Sequence, residues 1–511
     1  MKRLLMGIDL GTSGCKGMLV DEAGGIVAEA HFPYLVQNPR TGWFEQDPQC
    51  WLEAGVCAMQ AFSGYENAES TIAAIGLSGQ MHGLVLLDGN HKLLRPCIIW
   101  ADQRSEAQCR EVLDKAGGLG GLLKLTNNGM LTSYTGGKLL WVRENEPELY
   151  AQARHALNPK DYLRLHLTGS VATDVSDASG TGLFDVENRA WSSRLLEVLE
   201  IDRGLMADCL ESTQVAGTLT RDMAEKTGLR PGIPVIAGGG DALVQTIGSG
   251  LVAEKDVGIT LGTGGQVCRA LDRFRENPEG ALQVFCHVIP HRWHAMGVMQ
   301  SAGSILPWLK NILYLAEQKE YSEKEIFKLL DREAAQAPAG AGGLLFLPYL
   351  NGERCPHNDP SARGGFVGLT SAHRREHLAR SVLEGIALGL KDIYALLDTG
   401  RQEEALYLSG GGASSGIWRQ IFADVFARDI HTVNASSHGA AYGAALLAGV
   451  GIGVWPGVGE SVAALELSSV TRPDPQASKT YSALLPVYQS LYHQLGPSFG
   501  PLNQIEGGIS Q

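Results

Sequence analysis

The sequence predicts an α/β protein built from two similar domains. Short apolar runs alternate with glycine turns and helical stretches along most of the chain. Residues 7–14 recur half a chain later as residues 258–265, with six of the eight positions identical. A chain of 511 residues is long enough for two large domains, each with its own core. Because the chain has 64 glycines, a chance match stays open as the alternative to a repeated domain.

Composition excludes several classes of protein. A hydrophobic content of 44% and a charged content of 19% are those of an ordinary globular protein. The net charge of −13 argues against a nucleic-acid partner bound through a basic surface. No uninterrupted apolar run reaches about 18 residues, so no membrane span is expected. The nine cysteines form no Cys-x-x-Cys pair or zinc spacing, which favours reduced thiols in a cytoplasmic protein.

The N-terminal segment predicts three strands joined by turns. Residues 4–10 and 15–20 read as strands around the turn 11–14, and Ile26 begins a third. Such a turn exposes successive N–H groups and hydroxyls to an anion. Thr260 in the second copy stands where the first has Asp9, so a single metal ion is expected beside Asp9, with a turn-capping role as the alternative. Neither turn is a Walker A loop or a dinucleotide-binding motif.

Two polar clusters follow apolar strands of the first half. Residues 72–77 read as a strand that leads to Gln80, Met81 and His82, which suit a small polar ligand; a hydrogen-bonded loop histidine is the alternative for His82. After residues 98–100 come Asp102 and Arg104. Either side chain could reach a sugar, or could cap the helix that begins near Ser105.

The stretch that organises the chain is a glycine turn ending in a carboxylate. Residues 233–237 form an apolar strand that opens onto Gly238-Gly239-Gly240-Asp241. We interpret Asp241 as a general base, and the turn Gly262-Thr263-Gly264 as a phosphate-binding loop. The domain junction is expected shortly afterwards, which predicts domains over residues 1–245 and 246–450, followed by a tail over residues 451–511 that packs on the body.

The second half offers further candidates for nucleotide binding. Gly303 precedes a helix through Trp308, and forms either a nucleotide wall or a close-packed contact. Residues 406–409 form a strand that opens onto Gly411, Gly412 and Ala413, where a bare backbone admits a base or ribose. Residues 378–390 predict an amphipathic helix, residues 439–448 a small-residue helix and residues 478–495 a tail helix that Pro486 kinks or delays.

With these motifs together, the chain resembles the FGGY carbohydrate kinases of the actin, hexokinase and heat-shock ATPase superfamily. Residues 133–145, around Lys138, and 364–384, around Phe366, resemble the two family signatures. Residues 78–83 resemble the sugar motif of the xylulokinases, whereas glycerol kinases have Arg-Glu in place of Met81 and His82. The resemblance covers residues 6–448.

The resemblance implies two ribonuclease-H-like domains that flank a catalytic cleft, and it implies roles for individual residues. Asp241 corresponds to the catalytic base, and Asp9 to the carboxylate that organises Mg²⁺, through water. The substrate-binding positions are Gln80, Met81, His82, Asp102 and Asp241. The positions on the ATP side are Thr12, Ser13, Lys16, Gly262, Thr263, Gly264, Gly303, Gly411, Gly412 and Ala413.

The expected activity is transfer of the γ-phosphate of ATP to a ketopentose. D-xylulose is the first candidate for the substrate, and D-xylulose 5-phosphate would be the product. Three departures from the xylulokinase pattern are Ala242 for Asn, Gly264 for Ser, and Gly136-Gly137 for Ala-Pro. Ala242 leaves ribulose, L-xylulose, erythrulose or a glycerol-like polyol as alternative acceptors. A non-catalytic sugar or nucleotide sensor and a chaperone- or filament-type ATPase are the rival classes. A homodimer is compatible with the resemblance, and no nucleic-acid or membrane partner is expected.

Overall fold

A computed structural model describes residues 2–67, 70–277, 279–400, 404–433, 439–463 and 467–509. The strands of the first half are β1 (Lys2–Leu10), β2 (Gly14–Asp21), β3 (Ile26–Pro33), β4 (Glu45–Gln46), β5 (Ser70–Gly79), β6 (Val85–Leu87), β7 (Cys97–Ile98), β8 (His155–Leu157), β9 (Ala172–Asp174), β10 (Phe184–Asp185), β11 (Ala190–Trp191), β12 (Asp208–Leu210), β13 (Val215–Thr218), β14 (Pro234–Ile236) and β15 (Gly239–Gly240). Its helices are α1 (Pro48–Gln60), α2 (Glu106–Lys115), α3 (Leu119–Thr126), α4 (Thr135–Asn145), α5 (Pro147–Gln152), α6 (Pro159–Thr168), α7 (Val175–Ser179), α8 (Ser193–Val198), α9 (Arg221–Thr227) and α10 (Asp241–Gly248).

The second half continues the alternation of strands and helices. Its strands are β16 (Asp256–Leu261), β17 (Gly265–Leu271), β18 (Gln283–Cys286), β19 (Trp293–Met299), β20 (Leu345–Leu347), β21 (Gly365–Val367), β22 (Ala405–Ser409), β23 (Ile430–Val433) and β24 (Leu467–Thr471). Its helices are α11 (Ile305–Leu313), α12 (Glu323–Ala334), α13 (Arg375–Leu397), α14 (Gly416–Phe426), α15 (Gly439–Gly451), α16 (Val458–Ser461) and α17 (Pro475–Ile509).

The two main sheets share one topology. The first has the order β13-β14-β5-β1-β2-β3, and the second, read in the same direction, has β24-β23-β22-β16-β17-β19-β18. In the first sheet, β1 pairs antiparallel with β2, β2 pairs antiparallel with β3, and β5 pairs parallel with β1 on its other side. In the second sheet, β16, β17 and β19 form the same two antiparallel pairs, and β22 pairs parallel with β16. The prediction of two similarly built domains is therefore confirmed, and the sequence repeat marks the same hairpin in each.

The two hairpins differ by one residue in their turns. Leu10 pairs with Cys15 across the first turn, whereas Leu261 pairs with Gly265 across the second. Accordingly Gly11 donates to the Gly14 carbonyl, and Gly262 to the Gly264 carbonyl, each at 3.0 Å. The alignment of the two repeated sequences did not predict this shorter second turn.

Helix α15 belongs to the second half but covers the first sheet. A Cβ on Gly7 of β1 would lie 1.9 Å from the Ala441 carbonyl oxygen, and one on Gly76 of β5 would lie 1.9 Å from that of Ala444. Glycine is therefore required at both positions, because the helix backbone rests directly on the strands. The predicted small-residue helix is present, and its small residues serve this close packing.

Several elements are longer or differently placed than the sequence pattern predicted. Asp241 begins helix α10 instead of ending a turn, so the predicted boundary between residues 245 and 246 falls inside this helix. The predicted tail helix over residues 478–495 extends over α17 and contains Pro486. Strand β24 lies in the predicted tail and pairs with β23 in the second sheet. Among the described residues, no helix is both long enough and apolar enough to cross a bilayer.

Candidate active site

Three neighbouring strands end together at the predicted base. Asp9 of β1 lies opposite Ser78 of β5, and Ser78 in turn lies opposite Gly239 of β15. Asp241 follows β15 directly and is the first residue of α10. The strand register thus brings Asp9 and Asp241 to the same edge of the first sheet, although 231 residues of sequence intervene between them.

Both carboxyl groups have raised pKa values. Burial is the main cause of the pKa of about 8 for Asp241, and the negative charge of Asp9 adds to it. Burial also raises the pKa of Asp9 to about 6, against the opposing effects of the Ser78 hydroxyl and the Lys16 ammonium. Asp241 Oδ1 accepts a hydrogen bond of 2.8 Å from the Ala242 N–H. Two carboxyl groups whose charges interact in this way favour binding of a proton or a cation nearby.

Asp9 retains coordinating capacity. Its Oδ1 is buried and accepts no hydrogen bond from any residue that the structure describes. Over the same residues, no group of three or more His, Cys, Asp or Glu side chains converges on a metal position. This arrangement fits Mg²⁺, which commonly binds through one or two carboxylates and completes its shell with water and phosphate oxygens.

Two residues of the predicted sugar motif, Gln80 and Met81, are buried, and the third, His82, is partly exposed. Gln80 is 1% exposed, and its Nε2 donates a hydrogen bond of 2.6 Å to Gln46 Oε1, while its own Oε1 is buried and has no partner among the described residues. Met81 packs against Gly240, where a Cβ would lie 2.5 Å from Met81 Cγ. The structure therefore brings Met81 next to the segment that carries Asp241, and it leaves the amide oxygen of Gln80 able to accept a hydrogen bond.

His82 is held in one tautomer. Its Nδ1 lies 2.7 Å from the Gly180 carbonyl oxygen, which can only accept, so Nδ1 carries the proton. Burial, with the nearby Lys138 charge, lowers the pKa of His82 to about 3. The ring is therefore neutral at physiological pH, and its Nε2 is a hydrogen-bond acceptor. The backbone of His82 adopts φ of 70°, a strained value for a residue with a side chain.

Asp102 is occupied by protein groups. Its Oδ2 accepts from the Phe44 N–H at 2.6 Å, and both oxygens accept from the Arg104 guanidinium at 2.7 and 2.9 Å. The carboxylate is fully buried. Of the two alternatives for Asp102, sugar contact or local capping, this geometry favours the local structural role, because no oxygen is left without a protein donor.

Three side chains brace the first predicted phosphate turn. Tyr34 donates to the Gly11 carbonyl at 2.6 Å, and Gln46 donates to the Thr12 carbonyl at 2.7 Å. The indole N–H of Trp100 donates to Thr12 Oγ1 at 2.9 Å. Because the Thr12 oxygen accepts from Trp100, its own hydrogen is free to donate outward. Ser13 is exposed at the tip, and Lys16 is half-buried and pairs with Glu29 at 3.3 Å.

The second predicted phosphate turn is braced by backbone alone. Gly303 donates to the Gly262 carbonyl at 2.9 Å, while Ala302 and Ser304 each donate to the Thr263 carbonyl at 3.0 Å. A Cβ on Gly303 would lie 2.3 Å from the Gly262 carbonyl oxygen. Gly303 thus acts as a close-packing residue for the turn, one of its two predicted roles. Gly264 packs in the same way, with 2.7 Å between its would-be Cβ and the Met299 carbonyl oxygen.

The predicted adenosine motif lies beside the second turn. Gly411 and Gly412 form a short 3₁₀ turn after β22, which is parallel to β16. A Cβ on Gly412 would contact Trp418 at 2.7 Å and Leu261 at 2.8 Å, whereas Gly411 faces open space. Ala413 is partly buried against the core. The strand register therefore groups this motif with the Gly262–Gly264 turn at one edge of the second sheet.

Sequence reasoning missed four residues that touch the site. Trp100 orients Thr12, and Tyr134 lies 4.9 Å from the His82 ring. Tyr134 also lines a cavity of ≈ 60 Å³ between the two halves, together with Arg354. The fourth is Ser176 of α7, whose hydroxyl accepts the Gly240 N–H at 3.0 Å. Trp100 ends a recognised apolar run over residues 98–100, but no local pattern marks Ser176.

Comparisons with known proteins agree with this geometry. The model for the N-terminal domain of the FGGY family of carbohydrate kinases matches residues 4–248, and the model for its C-terminal domain matches residues 257–452. A xylulose kinase of Escherichia coli is 38% identical over 97% of this chain and 99% of its own. A crystal structure of a xylulose kinase from Rhodospirillum rubrum superposes with a TM-score of 0.90, at 29% identity, over 98% of this chain and all of its own. A gluconate kinase structure from Lactobacillus acidophilus gives a TM-score of 0.90 at 28% identity, with the same coverage.

Proposed function

The chain belongs to the FGGY family of carbohydrate kinases, and we propose that it transfers the γ-phosphate of ATP to a hydroxyl of a ketopentose, with D-xylulose first. The observation that supports this most is Asp241, a carboxyl with a raised pKa beside Met81 and His82 and at the same sheet edge as the first phosphate turn. The xylulose kinases at 34–38% identity support the choice of sugar.

In the proposed reaction, Asp241 accepts the proton of the sugar hydroxyl as its oxygen attacks the γ-phosphorus. The bond from the γ-phosphorus to the bridging oxygen breaks, and ADP leaves. A base is most effective when its pKa lies near the working pH, and a pKa of about 8 meets that condition. The Thr12 hydroxyl and the N–H groups of the two turns are placed to bind phosphate oxygens.

We further propose that Mg²⁺ accompanies ATP and is held by Asp9 through water. The uncommitted, buried Oδ1 of Asp9 supports this assignment. When bound, the ion supplies positive charge that offsets the phosphate charge. Lys16, whose charge acts on Asp9, would share in that neutralisation.

The tautomer of His82 favours a hydroxyl ligand over a carboxylate. Its Nε2 is an acceptor, so a group that hydrogen bonds to it must donate. A polyol or ketose can donate, whereas an ionised sugar acid cannot donate from its carboxylate. This contact therefore supports a neutral sugar, and it argues against placing the carboxylate of gluconate at His82.

Because of Ala242, the identity of the ketose has to be determined by comparing acceptors. Where xylulokinases usually have Asn, this chain has a side chain that forms no hydrogen bonds. One sugar hydroxyl would then lose a protein partner. Ribulose, L-xylulose, erythrulose and glycerol are accordingly the acceptors to compare with D-xylulose.

The test is release of ADP from Mg-ATP in the presence of each of these acceptors and of gluconate. We expect D-xylulose to give the highest kcat/KM, with formation of D-xylulose 5-phosphate. A higher kcat/KM for another ketose would overturn the D-xylulose assignment and identify Ala242 as a specificity change. A higher kcat/KM for gluconate would overturn the assignment of a neutral ketose as the acceptor.

The proposed setting is the cytoplasm, with a homodimer as the proposed assembly. All nine cysteines are free thiols, which suits a reducing compartment. Sedimentation velocity at micromolar concentration tests the assembly, for which a single species of twice the 54.7 kDa chain mass is expected.

A further inference from the structure

A group of buried charged residues is connected by hydrogen bonds to the segment that carries the candidate base. Its members, none of them exposed to solvent by more than 1%, are Lys160, Asp161 and Arg164 of α6, Asp174 of β9 and Asp177 of α7. Lys160 Nζ lies 2.7 to 2.8 Å from oxygens of all three aspartates. No step of the proposed reaction uses these residues. Buried charges on this scale are costly unless they are paired, so their arrangement calls for an explanation.

One continuous chain of hydrogen bonds leads from this cluster to the residue before Asp241. Lys160 Nζ contacts Asp174 Oδ1 at 2.8 Å, and the Ser176 hydroxyl donates to Asp174 Oδ2 at 2.6 Å. The Gly240 N–H then donates to Ser176 Oγ at 3.0 Å. Because the hydroxyl hydrogen of Ser176 is committed to Asp174, its oxygen is oriented to accept from Gly240.

The peptide held by this chain would otherwise be poorly restrained. Gly239 and Gly240 carry no side chains, and Gly240 is the N-cap of α10 without any side-chain cap of its own. Ser176 Oγ can approach because a Cβ on Gly239 would lie only 3.0 Å from it. The opposite end of α7 leads to Gly180, whose carbonyl accepts from His82. One short helix therefore holds the segments that carry both Asp241 and His82.

We propose that Ser176 is a positioning residue for Asp241, and that Asp174 and Lys160 orient Ser176 for this role. The inference rests on the proposed function of Asp241 as the base. The Ser176 hydroxyl holds the Gly240 N–H, and so aims the carboxylate of the next residue at the acceptor hydroxyl. Loss of this bond misplaces the base without changing the ATP-binding turns, and small misplacements of a reacting group cost rate steeply.

The test is a double-mutant cycle with the variants Ser176→Ala and Asp241→Asn, with Ser212→Ala as the matched control. Ser212 is also buried, and its hydroxyl donates to the same Asp174 Oδ2 at 2.7 Å, but it does not accept the Gly240 N–H. Turnover, KM for ATP and the thermal midpoint are measured for all variants. We expect Ser176→Ala to lower kcat roughly tenfold or more with an unchanged KM for ATP, because a misaimed base affects only the chemical step.

In the Asp241→Asn background, Ser176→Ala should lower the residual turnover less than twofold, since the base through which Ser176 acts is already gone. Ser212→Ala should cost a similar shift in the thermal midpoint with far less loss of kcat. Equal losses from Ser176→Ala in both backgrounds, or equal losses from the two serine variants, would overturn the inference. If Asp241→Asn alone retains full turnover, the proposed base is wrong instead, so the two failures are distinguishable.

Discussion

At the scale of single residues, Asp241 and Asp9 place two carboxyl groups at one edge of the first sheet, and both have raised pKa values. A raised pKa means that the folded protein disfavours the ionised form of these groups. The site therefore holds a base at the expense of stability, as is common where a charge must be available for chemistry.

The raised pKa of Asp241 predicts how the free energy of unfolding depends on pH. The pKa of Asp241 is about 8 in the folded chain, against an ordinary 3.8, so between these values the folded state retains a proton that the unfolded chain releases. Stability from this group is thus lost as the pH rises from about 4 to about 8. Asp241→Asn cannot ionise, and should be more stable than the native chain at pH 8, with the gain disappearing near pH 4.

Urea unfolding of the unliganded protein at pH 4, 6 and 8 measures this difference. Asp114→Asn, at an exposed position of α2, is the control, and should change the free energy of unfolding little at any pH. A gain for Asp241→Asn that is the same at pH 4 and pH 8 would contradict the raised pKa.

His82 supports a prediction about sugar binding. His82→Ala removes the Nε2 acceptor, and a neutral hydrogen bond of about 0.5–1.5 kcal/mol corresponds to a KM for the sugar raised roughly 2- to 10-fold. The KM for ATP should stay unchanged, because the contacts of the His82 ring among the described residues are with Gly180, Tyr134 and Phe285, and none is with a glycine turn of the second half. The exposed His91→Ala is the control in steady-state assays with both substrates varied. An unchanged KM for the sugar would remove His82 from the acceptor site.

The sequence predicted residue types at the site better than it predicted their contacts. Asp9, Met81, His82 and Asp241 converge because strand register brings them together. Gln80 and Asp102 were chosen for their polarity. Phe44 and Arg104 occupy both oxygens of Asp102, whereas Gln80 donates to Gln46 and keeps its Oε1 without a partner among the described residues. Whether a buried polar group is already satisfied depends on residues distant in sequence, so no local pattern discloses it. Ser176 was missed for the same reason.

At the scale of secondary structure, most strands and helices follow from periodicity and glycine positions. The strands predicted over residues 15–20 and 406–409 occur as β2 and β22, within a residue of expectation. The exceptions depend on tertiary contacts. Strand β24 pairs with β23 across a long connection, and α17 continues through three prolines because it packs along the second half. The register of the second phosphate turn likewise depends on the pairing of β16 with β17, which could not be predicted from the sequence repeat.

The backbone contact between α15 and the first sheet leads to a prediction at this scale. Gly7→Ala should lower the free energy of unfolding by roughly 1–3 kcal/mol or more, the usual cost of overpacking, because its Cβ would overlap the Ala441 carbonyl at 1.9 Å. Gly365→Ala is a matched control, since Gly365 also lies in a strand but has open space around its Cβ position. Urea titration compares the two variants. Equal stability of Gly7→Ala and Gly365→Ala would show that α15 does not rest on β1 as described.

At the scale of the whole molecule, the halves are joined by side chains that bond to the backbone of the opposite half. Asn128 donates to the Val284 carbonyl at 2.6 Å and accepts the Val284 N–H at 2.9 Å. Ser179 accepts the Cys286 N–H at 3.0 Å, and Asn127 accepts that of Asn277 at 2.8 Å. In the proposed reaction, such contacts would align the first half, which carries the proposed sugar site, with the second half, as in-line transfer requires.

Loss of one of these contacts should weaken the coupling between the halves. Asn128→Ala leaves two buried backbone groups of Val284 unsatisfied, at a cost of roughly 1–3 kcal/mol for each group. We expect the calorimetric unfolding transition to broaden or to separate into two. Asn188→Ala is the control, because Asn188 is exposed and its hydrogen bonds among the described residues are with Asp185 of its own half. A single, unshifted transition for Asn128→Ala would contradict the proposed coupling.

The measurement that tests the central claim most directly is sugar phosphorylation by Asp241→Asn, with sugar binding measured on the same sample. Removal of a general base costs roughly 10²–10⁴ in rate. We predict that kcat with D-xylulose and Mg-ATP falls by that factor, while the Kd for D-xylulose changes only a few-fold. An unchanged kcat would show that another group accepts the hydroxyl proton, and would contradict the assignment of Asp241 as the base.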